Sequence, residues 1–282
     1  MTGKLRIGRI SYTNLYPIFY MLDRSLDPAK YDIYQSYPSE LNRMMRQGEM
    51  DVSPSSSIEY LRGEDRYVLI PGHSISATCR VGSVLLWSRV PVESLDGHHV
   101  HATHQSETSV ALLKVIFSEF MRIKCEVRIT ASPFEEALAS HTAYLSIGDE
   151  ALAAVRDSKW METPPEGASY RLATVGGQVF YVYDLGELWH RHTGKPFVYA
   201  LWIVREGLSP AKAALLDEFR AKLDLARDEA RERFGEIAHG EGLMLPPREL
   251  VEYWSTLDYG LGPENLSGLA LYRDYLIKLG LI

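Results

Sequence analysis

Leu5-Arg6-Ile7-Gly8-Arg9-Ile10-Ser11-Tyr12-Thr13-Asn14-Leu15-Tyr16-Pro17 is the stretch from which the rest of the chain is read. Leu5 to Ile10 alternates and predicts a strand. Ser11 to Asn14 is a polar turn, and Pro17 falls in a first helical turn, where its missing N–H has no partner to lose. In an open α/β sheet, ligands sit beyond the carboxyl ends of strands, where such turns lie. Asn14 is therefore the first candidate to face a small-molecule pocket. Taken by itself, it reads most simply as a turn residue or helix cap.

Outward from this stretch the pattern repeats. Tyr31–Tyr37 predicts a second strand, and Ser39 caps a helix through Met45 that Gly48 ends. Met50–Val52 predicts a short strand, followed by the polar run Ser53-Pro54-Ser55-Ser56-Ser57 and a helix from Ile58. Tyr67–Ile70 and Val81–Trp87 predict strands, the second nearly all apolar, as expected where both faces are covered. Pro91–Gly97 reads as a linker into His98–Thr103 (strand), Glu107–Phe120 (helix), Cys125–Ile129 (strand), Pro133–Leu138 (helix), Ala143–Ile147 (strand) and Glu150–Val155 (helix). Asp157–Ala168 is polar and reads as a loop. Gln178–Tyr183 and Phe197–Val204 predict strands either side of a helix over Leu185–His192, closed by Gly194. Helices then start at Ser209-Pro210, Pro246-Pro247 and Pro263.

Alternating strands and helices predict an α/β fold with parallel sheets and helices on both faces. If Val81–Trp87 and Phe197–Val204 share one sheet, the middle of the chain is an insertion. Residues 1–90 and 196–282 then form one discontinuous lobe carrying a helical C-terminal tail, and 91–195 form a second. Ligand would bind between them and closure would be a hinge motion.

The chain has 282 residues, 46% of them hydrophobic, and a formal net charge of −7. It is long enough for a sizeable core. The charge argues against non-specific nucleic-acid binding, which needs a basic face. No apolar run approaches the ~20 residues of a membrane span. Met1-Thr2-Gly3-Lys4 leads into residues interrupted by Arg6 and Arg9 rather than into a signal-type apolar core, so a cytoplasmic protein is expected. Cys79 and Cys125, far apart, are expected to be reduced.

Several positions together resemble the chorismate dehydratases of the futalosine route to menaquinone. They are Gly8-Arg9-Ile10-Ser11-Tyr12 with Asn14 and Pro17; Gly48 to Val52 with the Ser/Pro run; Val81-Gly82-Ser83-Val84; Ser106-Glu107-Thr108-Ser109-Val110; and Ile147-Gly148-Asp149-Glu150-Ala151-Leu152. Asp184-Leu185-Gly186 with Leu188-Trp189, Thr193 to Val198, and Leu257-Asp258-Tyr259 follow in order. Thr13, Leu15 and Tyr16 depart from the residues common at those places. The resemblance implies a two-lobed fold like the type II periplasmic binding proteins. It also implies the dehydration of chorismate to 3-[(1-carboxyvinyl)oxy]benzoate without metal or organic cofactor. It assigns catalysis to Asn14 and Ser83, which would then stand together on the first lobe, facing the Thr108-Ser109 helix start. Without it, Ser83 is a small buried hydroxyl bonded to backbone.

Chorismate is a dianion, so an acidic protein must bind it with local donors. Helix starts supply these through free N–H groups and the helix dipole. Ser11, Ser56, Ser106, Thr108, Ser109 and Gly148 are the expected substrate contacts; plain N-capping is the alternative for the serines and threonines. Asp149 would repel an anion and is expected to cap or to hydrogen-bond elsewhere. His98, His99, His101 and His104 cluster, but without a clear further ligand a metal site is not expected. Tyr12, Tyr16, Phe19 and Tyr20 are mostly core by spacing. A monomer or homodimer acting on a small molecule is expected. The rival readings are a small-anion solute-binding or sensing protein without catalysis and the related 1,4-dihydroxy-6-naphthoate synthase.

Overall fold

The structure, a computed structural model, describes residues 3–161 and 168–282. The expectations drawn from Met1-Thr2, and for 162–167 within the Asp157–Ala168 loop, lie outside the described residues. In chain order the elements are β1 (Leu5–Ile10), a 3-10 turn (Thr13–Leu15), α1 (Tyr16–Ser25), β2 (Tyr31–Ser36), α2 (Pro38–Arg46), β3 (Val52–Ser56), α3 (Ser57–Arg62), β4 (Tyr67–Ala77) and β5 (Val84–Ser88). Next come β6 (His99–Thr103), α4 (Glu107–Val115) with a π-helical continuation (Ile116–Met121), β7 (Glu126–Thr130), α5 (Phe134–Ser140), β8 (Ala143–Ile147), α6 (Gly148–Asp157), β9 (Lys159–Trp160), β10 (Arg171–Val175) and β11 (Gln178–Asp184). The chain ends with α7 (Leu185–Thr193), β12 (Phe197–Arg205), α8 (Pro210–Glu232), α9 (Phe234–Ile237), α10 (Pro247–Thr256) and α11 (Pro263–Lys278).

Two units divide the chain. The first holds Met1–Ile75 and Tyr199–Gly262, the second Ser76–Val198 and Pro263–Ile282. The first unit's sheet runs β2-β1-β3-β12-β4. β1 pairs in parallel with β2 and β3, while β12 pairs antiparallel to β3. Its core carries an aromatic ladder, Phe19 on Trp202 and Trp202 on Phe219, with ring centroids 5.9 and 5.7 Å apart. The second unit's sheet runs β7-β6-β8-β5-β11-β10-β9. Only β7, β6 and β8 are parallel; β5, β11, β10 and β9 add as antiparallel strands. Trp87, Phe134, Tyr144 and Phe180 fill its core.

Five expectations are corrected. Both sheets are mixed rather than parallel. The divisions fall at 75/76, 198/199 and 262/263 instead of 90/91 and 195/196, because β5 pairs with β8 and β11 and shares no sheet with β12. An all-apolar strand suits any sheet buried on both faces, so its sequence does not name its partner. The last helix, expected with the first unit, belongs to the second: Gly268 of α11 seats against the Pro196 carbonyl, a place where a Cβ would collide. Finally, Ser39 lies inside α2, whose N-cap is Tyr37, and the strand expected over Met50–Val52 instead runs Val52–Ser56, so that most of the polar run after it is the buried central strand β3, paired to β12. Its ladder partners on both sides outweigh the weak strand propensity of serine and proline. Cys79 and Cys125 are free thiols.

Candidate functional site

In the first unit the candidate residues collect where parallel strands end. β1 stops at Ile10, and Ser11 follows with its N–H on the Ser36 carbonyl at 3.1 Å. Asn14 sits in the 3-10 turn, half-buried. Its Oδ1 is buried and unpartnered among the described residues. Its backbone, by contrast, is held: Tyr259 Oη donates to the Asn14 carbonyl at 2.7 Å, and Trp254 Nε1 donates to the Thr13 carbonyl at 2.9 Å. A turn residue capping a helix would spend its side chain on backbone, and Asn14 does not.

β3 ends beside it, parallel to β1. Ser56 accepts a hydrogen bond from Asn42 Nδ2 at 2.6 Å, and its own N–H reaches Asn42 Oδ1 at 3.3 Å. Asn42 is fully buried on α2. Its amide therefore occupies the acceptor side of the Ser56 hydroxyl and leaves the O–H to donate. The preceding Ser55 has a buried hydroxyl with no partner among the described residues. Since α3 is only six residues long, Ser56 contributes through its hydroxyl more than through a helix dipole.

In the second unit β6 and β8 run parallel and β5 antiparallel, with Val84 opposite Ile147. This register brings Ser83, Gly148 and the start of α4 to one end of these strands, the carboxyl end of β6 and β8. The Gly148 N–H donates to the Ser83 carbonyl at 2.8 Å, and Gly148 has a φ of 57° at the first position of α6. Ser83 thus stands with Gly148 in the second unit, not on the first with Asn14, which corrects the expected grouping. Ser106 caps α4: its oxygen accepts the Ser109 N–H at 3.1 Å and its proton goes to Ser109 Oγ at 2.9 Å. Ser106 is thereby occupied in capping, and the outward proton of that pair belongs to Ser109. Thr108 and Ser109 are buried, and the Thr108 carbonyl accepts from Tyr272 Oη at 3.1 Å.

Asp184 underlies Ser83. This fully buried carboxylate caps α7 through the Gly186 and Glu187 N–H groups at 2.9 and 3.1 Å. It also accepts the Gly82 N–H at 2.7 Å and the Val81 N–H at 3.1 Å. Burial raises its pKa, and the Gly82, Val81 and Glu187 N–H groups offset only part of that rise. Glu150, beside Gly148, is also raised by burial and accepts from Tyr144 Oη at 3.0 Å.

The set-aside groups have other occupations. His99 Nδ1 lies 3.1 Å from Glu126, and His101 stacks on His141 with ring centroids 3.4 Å apart. No group of three or more His, Cys, Asp or Glu able to hold a metal occurs among the described residues. Phe19 is core, and Tyr16 stacks on Trp254. Asn42, Asp184, Tyr259 and Trp254 were not singled out in the sequence. A helix-borne Asn and a Trp carry no local signal, and Asp184 and Tyr259 stood only as members of matched segments.

A family profile described as "Menaquinone biosynthesis" matches residues 5–278. This chain belongs to that family. It is 32% identical over 272 residues to a chorismate dehydratase from Thermus thermophilus, a match spanning 96% of this chain and 94% of the relative. Among solved structures it resembles protein AF1704 from Archaeoglobus fulgidus, with a TM-score of 0.73 and 19% identity over 99% of this chain and 98% of that one. It also resembles the periplasmic aliphatic sulphonate binding protein SsuA from Escherichia coli, with a TM-score of 0.62 and 13% identity over 99% and 93%. The family member thus has the periplasmic-binding-protein fold. No helix among its described residues is long and apolar enough to cross a membrane.

Proposed function

We propose that this chain dehydrates chorismate to 3-[(1-carboxyvinyl)oxy]benzoate as a step of menaquinone biosynthesis. The observation that carries the reading is the near full-length likeness to a chorismate dehydratase. Asn14 supports it, with its side-chain oxygen buried and unspent at the carboxyl end of β1.

The reaction breaks the ring C–H bond beside the enol ether and the allylic C–O bond, and the proton and hydroxide leave as water. Aromatisation makes it downhill. Proton loss comes first, because the charge then spreads through the ring diene onto the ring carboxylate. Neither Asn14 nor Ser83 is a base near neutral pH, so the substrate's enolpyruvyl carboxylate takes the proton. Asn14 and Ser83 orient the ring and the departing hydroxyl. Oriented donors of this kind are worth about 3–4 kcal/mol each where charge develops.

Net charge does not bind the two carboxylates. Ser11 and the Ser56 O–H supply donors on the first unit. Thr108, Ser109 and the N-terminal turn of α4, together with the Gly148 start of α6, supply them on the second. Ser106 supports this group by capping. The enzyme works in the cytoplasm, as its likeness to a biosynthetic enzyme supports, and acts as a monomer or homodimer without nucleic acid or membrane.

Purified protein incubated with chorismate and followed by chromatography tests the reading. Formation of the aromatic enolpyruvyl ether is expected. Saturable binding of chorismate with no product overturns it in favour of a receptor, the role that the SsuA-like fold also serves.

A further inference from the structure

We infer that Tyr259 is a positioning residue that sets the side chain of Asn14 through its backbone; this rests on the dehydratase reading of Asn14. The Asn14 Oδ1 is buried and has no hydrogen-bond partner among the described residues. With no partner to hold that oxygen, its direction follows from the backbone and rotamer. That backbone is a short 3-10 turn, a geometry with poorer internal hydrogen bonds than an α-helix. Its carbonyls are instead anchored from about 240 residues away. The Tyr259 phenol holds Asn14 at 2.7 Å, and the Trp254 indole holds Thr13 at 2.9 Å.

Tyr259 is itself fixed on both sides. Its carbonyl accepts the Ser74 N–H at 3.0 Å, and the next residue's carbonyl accepts the Ser74 hydroxyl. Asp258 Oδ1 accepts the Gly260 N–H at 2.8 Å. The ring is buried and faces Phe234. Burial raises the phenol's pKa well above its ordinary value, so it stays a neutral donor across the working pH range. Ser74 and Tyr259–Gly260 lie just before the chain leaves the first unit at 75/76 and 262/263. Through Tyr259 the Asn14 turn is tied to both of these exits, so its position is set by the segments that lead out of the unit.

Tyr259→Phe removes one hydroxyl and keeps the ring. With stoichiometric enzyme, so that residual rates are read, kcat on chorismate is expected to fall by about tenfold or more with KM changed by less than about threefold, the pattern of lost orientation. The deciding readout is coupling. In an Asn14→Ala background the same change is expected to cost less than about twofold, whereas in a Ser83→Ala background the full loss recurs. A Tyr259→Phe enzyme at wild-type kcat, or an undiminished loss on top of Asn14→Ala, overturns the inference. Wild-type protein that leaves chorismate intact overturns the dehydratase reading itself and the inference with it.

Discussion

The carboxylate of Asp184 accepts the backbone N–H of Gly82 at 2.7 Å, one residue before Ser83. The same oxygens cap α7 at Gly186 and Glu187. One buried side chain therefore stitches the Val81–Gly82 turn, where Gly82 has a φ of 74°, to a helix start a hundred residues later. Asp184→Ala leaves four N–H groups without an acceptor and is expected to lower stability by about 2–4 kcal/mol. Asp184→Asn keeps one acceptor oxygen for the cap but turns an N–H₂ toward the turn, so it is expected to recover only part. Urea unfolding of the three proteins measures this, and an Ala variant within about 0.5 kcal/mol of wild type refutes it.

Asp51 gives the fold a pH dependence of known sign. It is fully buried between Arg6 at 2.8 Å and Lys212, with Arg205 at 3.5 Å. Burial alone would raise its pKa, but the hydrogen bonds from Arg6 and Lys212 outweigh it and hold the carboxyl at about 2, below the ordinary 3.8. A depressed folded pKa stabilises above the unfolded value, so this contribution is complete above about pH 4 and fades as pH falls toward about 2. It amounts to about 2 kcal/mol. Denaturant midpoints followed across this window are expected to fall more steeply for wild type than for Asp51→Asn.

Periodicity made most elements legible, including β1, α1, β8, β12 and the closure of α7 at Gly194. It did so because one buried face or stripe imposes period 2 or 3.6. What stayed hidden were relations between strands distant in sequence. Val84–Ser88 reads the same whichever sheet receives it, and β3 hides a central strand behind serines and a proline. The site divided in the same way. The turn after β1 pointed to Asn14 as a pocket residue, but a catalytic role for Asn14 and Ser83 was implied only by the resemblance. Asn42, Asp184 and Tyr259 act on backbone groups far along the chain, and spacing carries no trace of such contacts.

Gly268 sets helix propensity against packing. It lies within α11, where alanine is ordinarily better by about 1 kcal/mol. A Cβ here would fall on the Pro196 carbonyl oxygen, a backbone atom that also accepts the Trp189 Nε1 hydrogen bond at 3.2 Å. Backbone does not step aside as a side-chain tip does, and overpacking costs about 1–3 kcal/mol. Gly268→Ala is therefore expected to destabilise despite its propensity. A thermal midpoint at or above wild type would show that α11 is not seated there.

The proposed catalytic pair is expected to separate activity from stability. Asn14→Asp adds charge to a group whose oxygen has no donor, and Ser83→Ala removes one hydroxyl. Each is expected to cut kcat on chorismate by about 100-fold or more. Thermal midpoints should stay within a few degrees of wild type. Wild-type turnover in both variants would remove the pair from the mechanism.

Asn42 controls where the Ser56 proton points. Its Nδ2 donates to the Ser56 oxygen at 2.6 Å, which leaves the Ser56 O–H to donate, in the proposed function to a substrate carboxylate. In Asn42→Asp that donor becomes an acceptor, so the Ser56 proton turns inward to the new carboxylate. A negative charge also appears beside the proposed seat of a dianion. Both changes weaken ground-state and transition-state binding alike, so KM for chorismate should rise by about 10–100-fold with a smaller change in kcat. The two causes can be told apart by Ser56→Ala, which loses the donor without gaining the charge and is expected to fall between wild type and Asn42→Asp. Steady-state kinetics of the three proteins at one pH decide it. An Asn42→Asp enzyme with wild-type KM would mean that Ser56 does not bind the substrate.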